Sequence, residues 1–200
     1  EVIGLLGPNG AGKSTTMNML TGFIEPSEGS ITINGNDIVK NASEAKKSIG
    51  YMPENVPLYL DLTVKEFVKY MAELKFVCRK ERNKQVEEII KETGLQEVEN
   101  KLIRNLSRGY KQRVSMAGAL VGKPEILILD EPTVGLDPKQ IVEIRELIKK
   151  LGKDHTVIIS SHILSEVSQI CEKVIIINKG EIVAIDTPNN LENMVDKNNS

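Results

Sequence analysis

A glycine-rich stretch near the start of the chain has the residue types and spacing of a phosphate-binding loop. Residues 7–15 read GPNGAGKST and fit the pattern G-x-x-x-x-G-K-[ST]. The glycines let successive backbone N–H groups turn into one hollow, and the helix predicted to follow adds its positive dipole end. Lys13 supplies a positive charge for the β- and γ-phosphates of a nucleotide, and Ser14 a hydroxyl for Mg²⁺. The residues expected to bind phosphate are Gly7, Pro8, Asn9, Gly10, Ala11, Gly12, Lys13, Ser14 and Thr15.

Two adjacent carboxylates follow a continuous apolar run. Residues 125–129 predict a strand buried on both faces, and Asp130 and Glu131 follow at its C-terminal end. Neighbouring carboxylates at that place are costly unless a cation or a reaction uses them. In a chain with a phosphate loop, we therefore predict that Asp130 binds Mg²⁺ and that Glu131 is a general base. The weaker alternative is a pair of surface acids at a strand–turn junction.

Two further polar residues follow other predicted strands. The strand at 49–52 stops at Pro53, so Glu54 falls on a loop beyond the carboxyl end of a strand, where ligands bind in open α/β sheets. The strand at 156–160 is followed by His162. Because these strand ends share one edge of the predicted sheet, His162 is expected to face the γ-phosphate. Taken alone, Glu54 reads better as a solvated loop carboxylate, and a histidine in this position is usually packed or exposed.

Helix and strand signals alternate along most of the chain, which favours an α/β fold with a largely parallel sheet. The predicted strands cover residues 2–6, 30–33, 37–39, 49–52, 125–129, 156–160, 174–177 and 181–185. The predicted helices cover residues 16–20, 42–48, 64–75, 80–93, 108–121, 138–151, 165–171 and 190–195. Asn34 and Gly35 predict the turn of an antiparallel hairpin. The stretch from about 58 to 120 has helical signals only, so a helical subdomain inserted between strands is expected.

Further polar side chains lie at or just before the predicted N-termini of helices. Thr63 and Glu66 predict a capping box at the start of the first helix of the helical stretch. Ser107 is a good N-cap for a helix that ends near Gly122. On the residues alone, an ordinary capped helix is the better reading of Ser107. Asp137 lies in a turn immediately before a proline-initiated helix.

The composition limits the classes of function. The chain has 200 residues, with 26 basic and 28 acidic side chains and a formal net charge of −2. This balance provides no broad basic field for a nucleic-acid backbone, which argues against direct nucleic-acid binding. Cys78 and Cys171 lack metal-ligand spacing and are expected to be reduced thiols in a cytosolic compartment. No apolar run approaches the roughly 20 residues of a membrane span, so any membrane attachment is expected to go through another chain.

Taken together, the order and spacing of these motifs resemble the nucleotide-binding domain of ATP-binding cassette (ABC) transporters over essentially the whole chain. Residues 7–15 resemble the Walker A loop, and 126–130 with Glu131 resemble Walker B and its catalytic glutamate. The discriminating match is 106–112, which is similar to the family signature, because many P-loop enzymes share the Walker motifs. The remaining correspondences are Asp137 in the D-loop and the switch histidine, His162.

The resemblance implies a P-loop NTPase core with a mostly parallel sheet, an antiparallel β hairpin region and an inserted helical subdomain. It implies one domain over 1–200, divided into an α/β core of 1–54 and 122–200 and a helical subdomain of 55–121 that carries the signature. The domain is expected to be incomplete at its N-terminus, because the chain begins one residue before a predicted core strand. In the family, an aromatic residue that stacks on adenine precedes this strand.

The sequence departs from the usual family pattern at two places. The signature, usually LSGGQ, reads LSRGYKQ from Leu106, which keeps Ser107 and Gly109 and includes Gln112. Glu54 stands where the family usually has glutamine, and a carboxylate there can still bind Mg²⁺ or orient water. Both departures resemble the ATPase subunits of ABC-2 type exporters, including those of gliding motility and of drug or polysaccharide efflux.

The resemblance also implies ligands and partners. ATP and Mg²⁺ are the expected cofactors, with Ser14, Glu54 and Asp130 as metal ligands. Two nucleotide-binding domains would form a head-to-tail dimer, homomeric or heteromeric, in which Ser107, Gly109 and Gln112 act on the nucleotide of the other subunit. A transmembrane permease subunit would hold the chain at the cytoplasmic face of the membrane and choose the transported molecule. The alternatives are a soluble ABC ATPase acting on ribosomes or DNA, a non-hydrolysing nucleotide sensor and, more weakly, a small-molecule P-loop kinase.

Overall fold

The computed structural model describes residues 1–191 and contains a six-stranded sheet, a two-stranded sheet and a set of helices. The strands are β1 Val2–Leu6, β2 Thr32–Ile33, β3 Asn36–Asp37, β4 Ile49–Met52, β5 Ile126–Leu129, β6 Thr156–Ser161, β7 Lys173–Asn178 and β8 Glu181–Asp186. The α-helices are α1 Lys13–Leu20, α2 Ala42–Lys47, α3 Val64–Leu74, α4 Arg79–Glu92, α5 Arg108–Leu120, α6 Pro138–Leu151 and α7 Leu164–Val167. Two short 3₁₀ helices, Gln96–Val98 and Ile103–Asn105, follow α4 and were not predicted.

The main sheet has the strand order β4-β5-β6-β1-β7-β8. Its neighbouring strands are parallel except for β7 and β8, which form an antiparallel pair. The predicted mixed α/β class with a mostly parallel sheet is therefore confirmed. Because β4, β5, β6 and β1 run in the same direction, their carboxyl ends meet at one edge of the sheet. The predicted phosphate loop, Glu54, the Asp130–Glu131 pair and His162 follow these four strands.

Both faces of the sheet are covered by apolar packing. Leu127 and Leu129 of β5 join one buried cluster, whereas Ile128 between them joins a second. Successive side chains of a strand point to opposite faces, so this alternation means that β5 is buried on both sides. The continuous apolar sequence of this strand follows from that position, because neither face is left for solvent.

Several predicted elements differ in extent from the structure, among them the hairpin, α7 and the last helix. The hairpin turns at Asn34 and Gly35, both with positive φ as its turn type requires, but its second strand is β3 rather than 37–39. Helix α7 ends at Val167 rather than 171, because the chain continues as a turn in which Ile170 N donates to Val167 O at 3.2 Å, before Glu172 N donates to Val2 O beside β1. Of the predicted last helix, residues 190 and 191 are helical, and the rest lies outside the described residues.

The helical stretch between β4 and β5 shares its apolar core with the sheet. Phe67 of α3, Ile90 of α4 and Val114 of α5 belong to the same buried cluster as Leu127 and Leu129. The predicted capping box starts α3, with Thr63 N donating to Glu66 Oε2 at 2.8 Å and Glu66 N donating to Thr63 Oγ1 at 3.2 Å. The division into a core and a helical subdomain stays a prediction.

None of the helices described in residues 1–191 is long and apolar enough to cross a membrane. Both cysteines are free, Cys78 at the surface and Cys171 inside. Burial, with a smaller contribution from the Glu172 charge, raises the pKa of the Cys171 thiol to about 12. Cys171 is therefore an unreactive packing residue.

Close packing between α5 and β4 generates the first prediction. A Cβ added at Gly50 would lie 2.2 Å from Ala119 O. We expect Gly50→Ala to lower the free energy of unfolding by about 1–3 kcal/mol, because a backbone atom must move to make room. Urea denaturation measures the change. The matched control is Gly118→Ala, whose added Cβ would lie 3.1 Å from the Phe67 ring and which gains helix propensity. Equal losses in the two variants would contradict this account.

Candidate functional site

A polar cavity of about 480 Å³ opens at the carboxyl ends of the parallel strands. It collects residues from four separate parts of the sequence: the 7–15 loop, the segment after β4, the segment after β5 and the segment after β6. The lining residues are Asn9, Gly10, Gly12, Lys13, Ser14, Thr15, Glu54, Glu131, Val134 and His162. The structure thus brings together most of the residues predicted to handle a phosphorylated ligand.

The 7–15 loop is held in shape by its own backbone and by a neighbouring hairpin. Gly10 and Gly12 have φ of 80° and 105°, a region that favours glycine, and α1 begins directly after Gly12. The loop is also tied to the β7–β8 turn, where Gly180 N donates to Ala11 O at 2.8 Å. The N-terminal turn of α1 consequently opens into the cavity, in the arrangement that binds anions at helix starts.

Lys13 is buried beneath the loop rather than extended into solvent. Its Nζ donates to Gly7 O at 2.8 Å and Pro8 O at 3.3 Å, and lies 3.5 Å from Glu131 Oε1. Only 6% of Lys13 and 8% of Glu131 is exposed. A buried ammonium needs such partners, because an unpaired charge in the interior is strongly destabilising. The pair places one positive and one negative group on the wall of the same cavity.

Glu131 also contacts His162, which follows β6. His162 Nδ1 lies 3.2 Å and 3.1 Å from the two carboxylate oxygens of Glu131. Unlike Glu131, the His162 side chain is 39% exposed. Glu131 has a φ of 47°, which is uncommon for a residue with a side chain and occurs preferentially at functional sites. The three side chains of Lys13, Glu131 and His162 form one chain of contacts.

Ser160 connects the two adjacent carboxylates and was missed by sequence reasoning. Its buried hydroxyl donates to Asp130 Oδ1 and accepts from the Glu131 backbone N–H at 2.8 Å. Asp130 is 3% exposed and is not among the cavity-lining residues. Its charge adds to the larger effect of burial in raising the pKa of Tyr51. The sequence signal that could have pointed to Ser160 is a hydroxyl side chain near the end of a mostly apolar strand.

A second hidden carboxylate supports the loop after β5. Glu166 Oε2 accepts from Thr133 Oγ1 at 2.8 Å and from Ser161 Oγ at 3.4 Å, and its Oε1 lies 3.8 Å from Arg145. Glu166 is 9% exposed. Nothing in the local sequence pattern of the short helix α7 indicated this role, since all its partners are distant in the chain or on β6.

The donor types around the first cavity suit Mg²⁺. The Ser14 hydroxyl and the carboxylates of Asp130 and Glu54 are hard oxygen ligands, which this ion prefers. Mg²⁺ is usually held by one or two carboxylates together with waters and substrate phosphates. Ser14 and Glu54 line the cavity, whereas Asp130 lies buried at the end of β5, next to the cavity-lining Glu131.

The predicted signature residues lie elsewhere, around a second cavity of about 490 Å³. Ser107, Gly109 and Asp137 line it. Ser107 Oγ caps α5 by accepting from Tyr110 N at 3.4 Å, and Asp137 Oδ1 caps α6 by accepting from Gln140 N at 2.9 Å. None of these residues lines the first cavity.

The Gln112 side chain binds a loop of the same chain and does not point into the second cavity. Its Nε2 donates to Pro132 O at 2.8 Å, in the loop that follows Glu131, and it does not line the second cavity. The structure therefore separates the two expected halves of the site on one chain, with Gln112 between them.

Comparison with known proteins agrees with these motifs. The sequence model of the family described as ABC transporter matches residues 1–134. The linearmycin resistance ATP-binding protein of Bacillus subtilis (strain 168) is 41% identical over 192 residues, which are 96% of this chain and 62% of that protein. The bacitracin transport ATP-binding protein of Bacillus licheniformis is 43% identical over 185 residues, which are 92% of this chain and 60% of that protein. The chain thus spans less than two thirds of either relative.

A solved structure is similar over nearly the whole chain. It is described as the dimeric post-hydrolysis state of an ATP-binding cassette bound to ADP and Pi. Its TM-score is 0.81 at 29% sequence identity, with 94% of this chain and 85% of that chain covered.

The bridging position of Ser160 generates the second prediction. Ser160→Ala leaves a buried Asp130 oxygen and the Glu131 N–H without this partner, so we expect a loss of about 1–3 kcal/mol in unfolding free energy. Urea denaturation at neutral pH measures it. Ser165→Ala removes an exposed hydroxyl in α7 and should stay within about 0.5 kcal/mol. A Ser160→Ala variant as stable as this control would show that the bridge is not needed.

Proposed function

The chain belongs to the ABC transporter family, and we propose that it is the ATP-binding and ATP-hydrolysing part of a transporter, of the exporter type. The observation that carries the proposal is the contact chain of Lys13, Glu131 and His162 beside a phosphate loop. Hydrolysis needs a cation for the phosphates and a base for water at the same place, and these residues supply both.

We assign ATP binding to the first cavity. The triphosphate would lie on the backbone N–H groups of residues 7–15 and at the start of α1. Lys13 is near enough to exchange its Glu131 contact for the β- and γ-phosphate oxygens. Mg²⁺ would be held by Ser14 and Asp130, with Glu54 at the cavity wall, and would neutralise phosphate charge. The floor of the cavity is buried, so these charges lie in surroundings of low dielectric constant, where they interact strongly.

In the proposed hydrolysis step, Glu131 acts on water. Its carboxylate accepts the proton as the water attacks the γ-phosphorus, and the bond from that phosphorus to the β-phosphate oxygen breaks to release ADP and phosphate. His162 lies within hydrogen-bond distance of Glu131 and orients it towards the reacting atoms. At 39% exposure, His162 can also face the γ-phosphoryl group and stabilise its developing charge.

The separation of the two cavities supports an intermolecular site. Ser107 and Gly109 would complete the nucleotide site of a second nucleotide-binding domain, and that domain would complete this one in return. The α5 helix start gives the γ-phosphate a second set of N–H donors. Bound ATP would thereby hold the dimer closed, and hydrolysis would release it. The similar solved structure is itself a dimer in a post-hydrolysis state.

We propose that a groove near β4 docks a transmembrane permease subunit. It encloses about 240 Å³ and is mostly apolar. The end of α1, β4, α3 and α5 contribute its walls, and Phe23 there is 82% exposed. Exposed apolar surface of this kind marks interaction sites. Docking there would place the chain peripherally at the cytoplasmic face of the membrane, close to the Glu54 loop that would transmit the motion.

The printed names of the two relatives favour transport over the alternatives. One relative confers linearmycin resistance and the other serves bacitracin transport, which suits an exporter rather than an ATPase of ribosomes or DNA. A non-hydrolysing sensor is disfavoured because it has no use for Glu131 beside His162. The net charge of −2 also gives nucleic acid little attraction.

The third prediction tests the general base. Glu131→Gln in the full chain should lower the rate of phosphate release from Mg²⁺–ATP by about 10²–10⁴-fold, because an amide cannot take the proton. ADP binding measured by calorimetry should persist, and ATP should hold the variant as a dimer in size-exclusion chromatography. Glu44→Gln, an exposed change in α2, is the control. Wild-type turnover by Glu131→Gln would refute the base assignment.

The fourth prediction tests whether sites are shared between two chains. Lys13→Ala should be inactive because it lacks the phosphate cation, and Ser107→Asp because it faces phosphate with a carboxylate while still capping α5. Mixing the two variants creates dimers in which one site has both wild-type halves, so phosphate release should reappear. ADP binding by Ser107→Asp serves as the control that its own phosphate loop is intact. If that variant binds ADP and the mixture still releases no phosphate, the head-to-tail arrangement is contradicted.

A further inference from the structure

The first turn of α5 holds a loop of its own chain at two points. Arg108 and Gln112 are four residues apart and so lie on one face of the helix. Gln112 donates to Pro132 O at 2.8 Å. A Cβ built on Gly135 would lie 2.2 Å from Arg108 Cζ and 2.3 Å from each terminal guanidinium nitrogen. The near-equality of the three distances means that the flat face of the guanidinium covers Gly135.

The loop that these two residues hold, residues 131–137, connects the two cavities. Glu131 and Val134 line the phosphate cavity at one end, and Asp137 lines the second cavity at the other. Its middle is fixed by the hydrogen bond from Thr133 to buried Glu166. Gly135 lies between that fixed point and Asp137. The start of α5 therefore contacts the same loop on both sides of Thr133, at Pro132 and at Gly135, and this loop begins with Glu131.

We propose that Arg108 is a positioning residue that couples closure over a partner's nucleotide, at Ser107, to the placement of Glu131 in its own chain. The inference rests on the proposed function and adds a route between the two half-sites. Arg108 acts through Gly135 and not by touching ATP. In the usual family signature this position is glycine, which has no side chain to cover Gly135, so this route is a property of the present sequence.

The fifth prediction compares Arg108 variants of the full chain in steady-state phosphate release with Mg²⁺–ATP. Arg108→Ala should lower kcat about tenfold, while KM for ATP and the calorimetric Kd for ADP stay within about twofold, because the phosphate loop is untouched. Arg108→Lys should be intermediate, since it keeps the charge but loses the planar face. Lys101→Ala removes an exposed charge elsewhere and should behave as wild type.

A double-variant cycle separates the loop contact from a direct contact with the partner's phosphate. Gly135→Ala puts a methyl group where the guanidinium lies, so the double variant Arg108→Ala/Gly135→Ala should be no slower than the slower single variant. If the kcat losses of the two single variants multiply in the double variant, the inference is overturned in favour of a contact between Arg108 and the partner's phosphate. Weaker ATP-driven dimerisation with an unchanged kcat in the dimer would have the same meaning. An active wild type with an equally active Arg108→Ala would overturn the inference alone. A wild type that releases no phosphate would overturn the proposed function as well.

Discussion

Two adjacent buried carboxylates are the constraint on which the rest of the structure depends. Asp130 and Glu131 leave the end of β5 with 3% and 8% of their surface exposed. Carboxylates in such surroundings stay charged only where cations and hydrogen-bond donors surround them. Lys13 comes from the β1–α1 loop, and Ser160 and His162 from the end of β6. These three partners therefore surround the two carboxylates only while β5, β6 and β1 lie side by side and parallel.

That strand arrangement also explains why one chain carries half of each proposed site. The carboxyl ends of the central strands gather the phosphate loop and the acidic pair, whereas α5 starts beside α6 at a different cavity. No rearrangement of loops within the first cavity would bring Ser107 there, because its helix is packed against β4 along its C-terminal half, as the close approach of Ala119 to Gly50 indicates. In the proposed dimer, a second chain supplies this helix start.

Sequence reasoning placed local geometry correctly where near neighbours in the chain determine it. The glycine loop before α1, the Ser107 cap and the position of Asp130 and Glu131 after β5 are contiguous patterns of this kind, and their roles in binding and catalysis stay predictions. Sequence reasoning failed for Ser160, Glu166 and the Arg108 contact with Gly135, because each depends on partners brought near by the sheet or by α5. The end of α7 was misjudged for a related reason: the sequence after Val167 does not show that the chain must turn there to reach β1, beside which Glu172 N donates to Val2 O.

The bond between Gly180 and the phosphate loop has a thermodynamic consequence. A loop already braced by α1 on one side and by the turn of the edge hairpin on the other has little conformational freedom left to lose. Binding of a triphosphate should then be accompanied by a small entropic penalty from the protein, since the receptor is preorganised. Loosening the far hairpin would reintroduce that penalty without altering a single group that meets the ligand, so the outermost strands of the sheet should contribute to the affinity of the loop for its ligand.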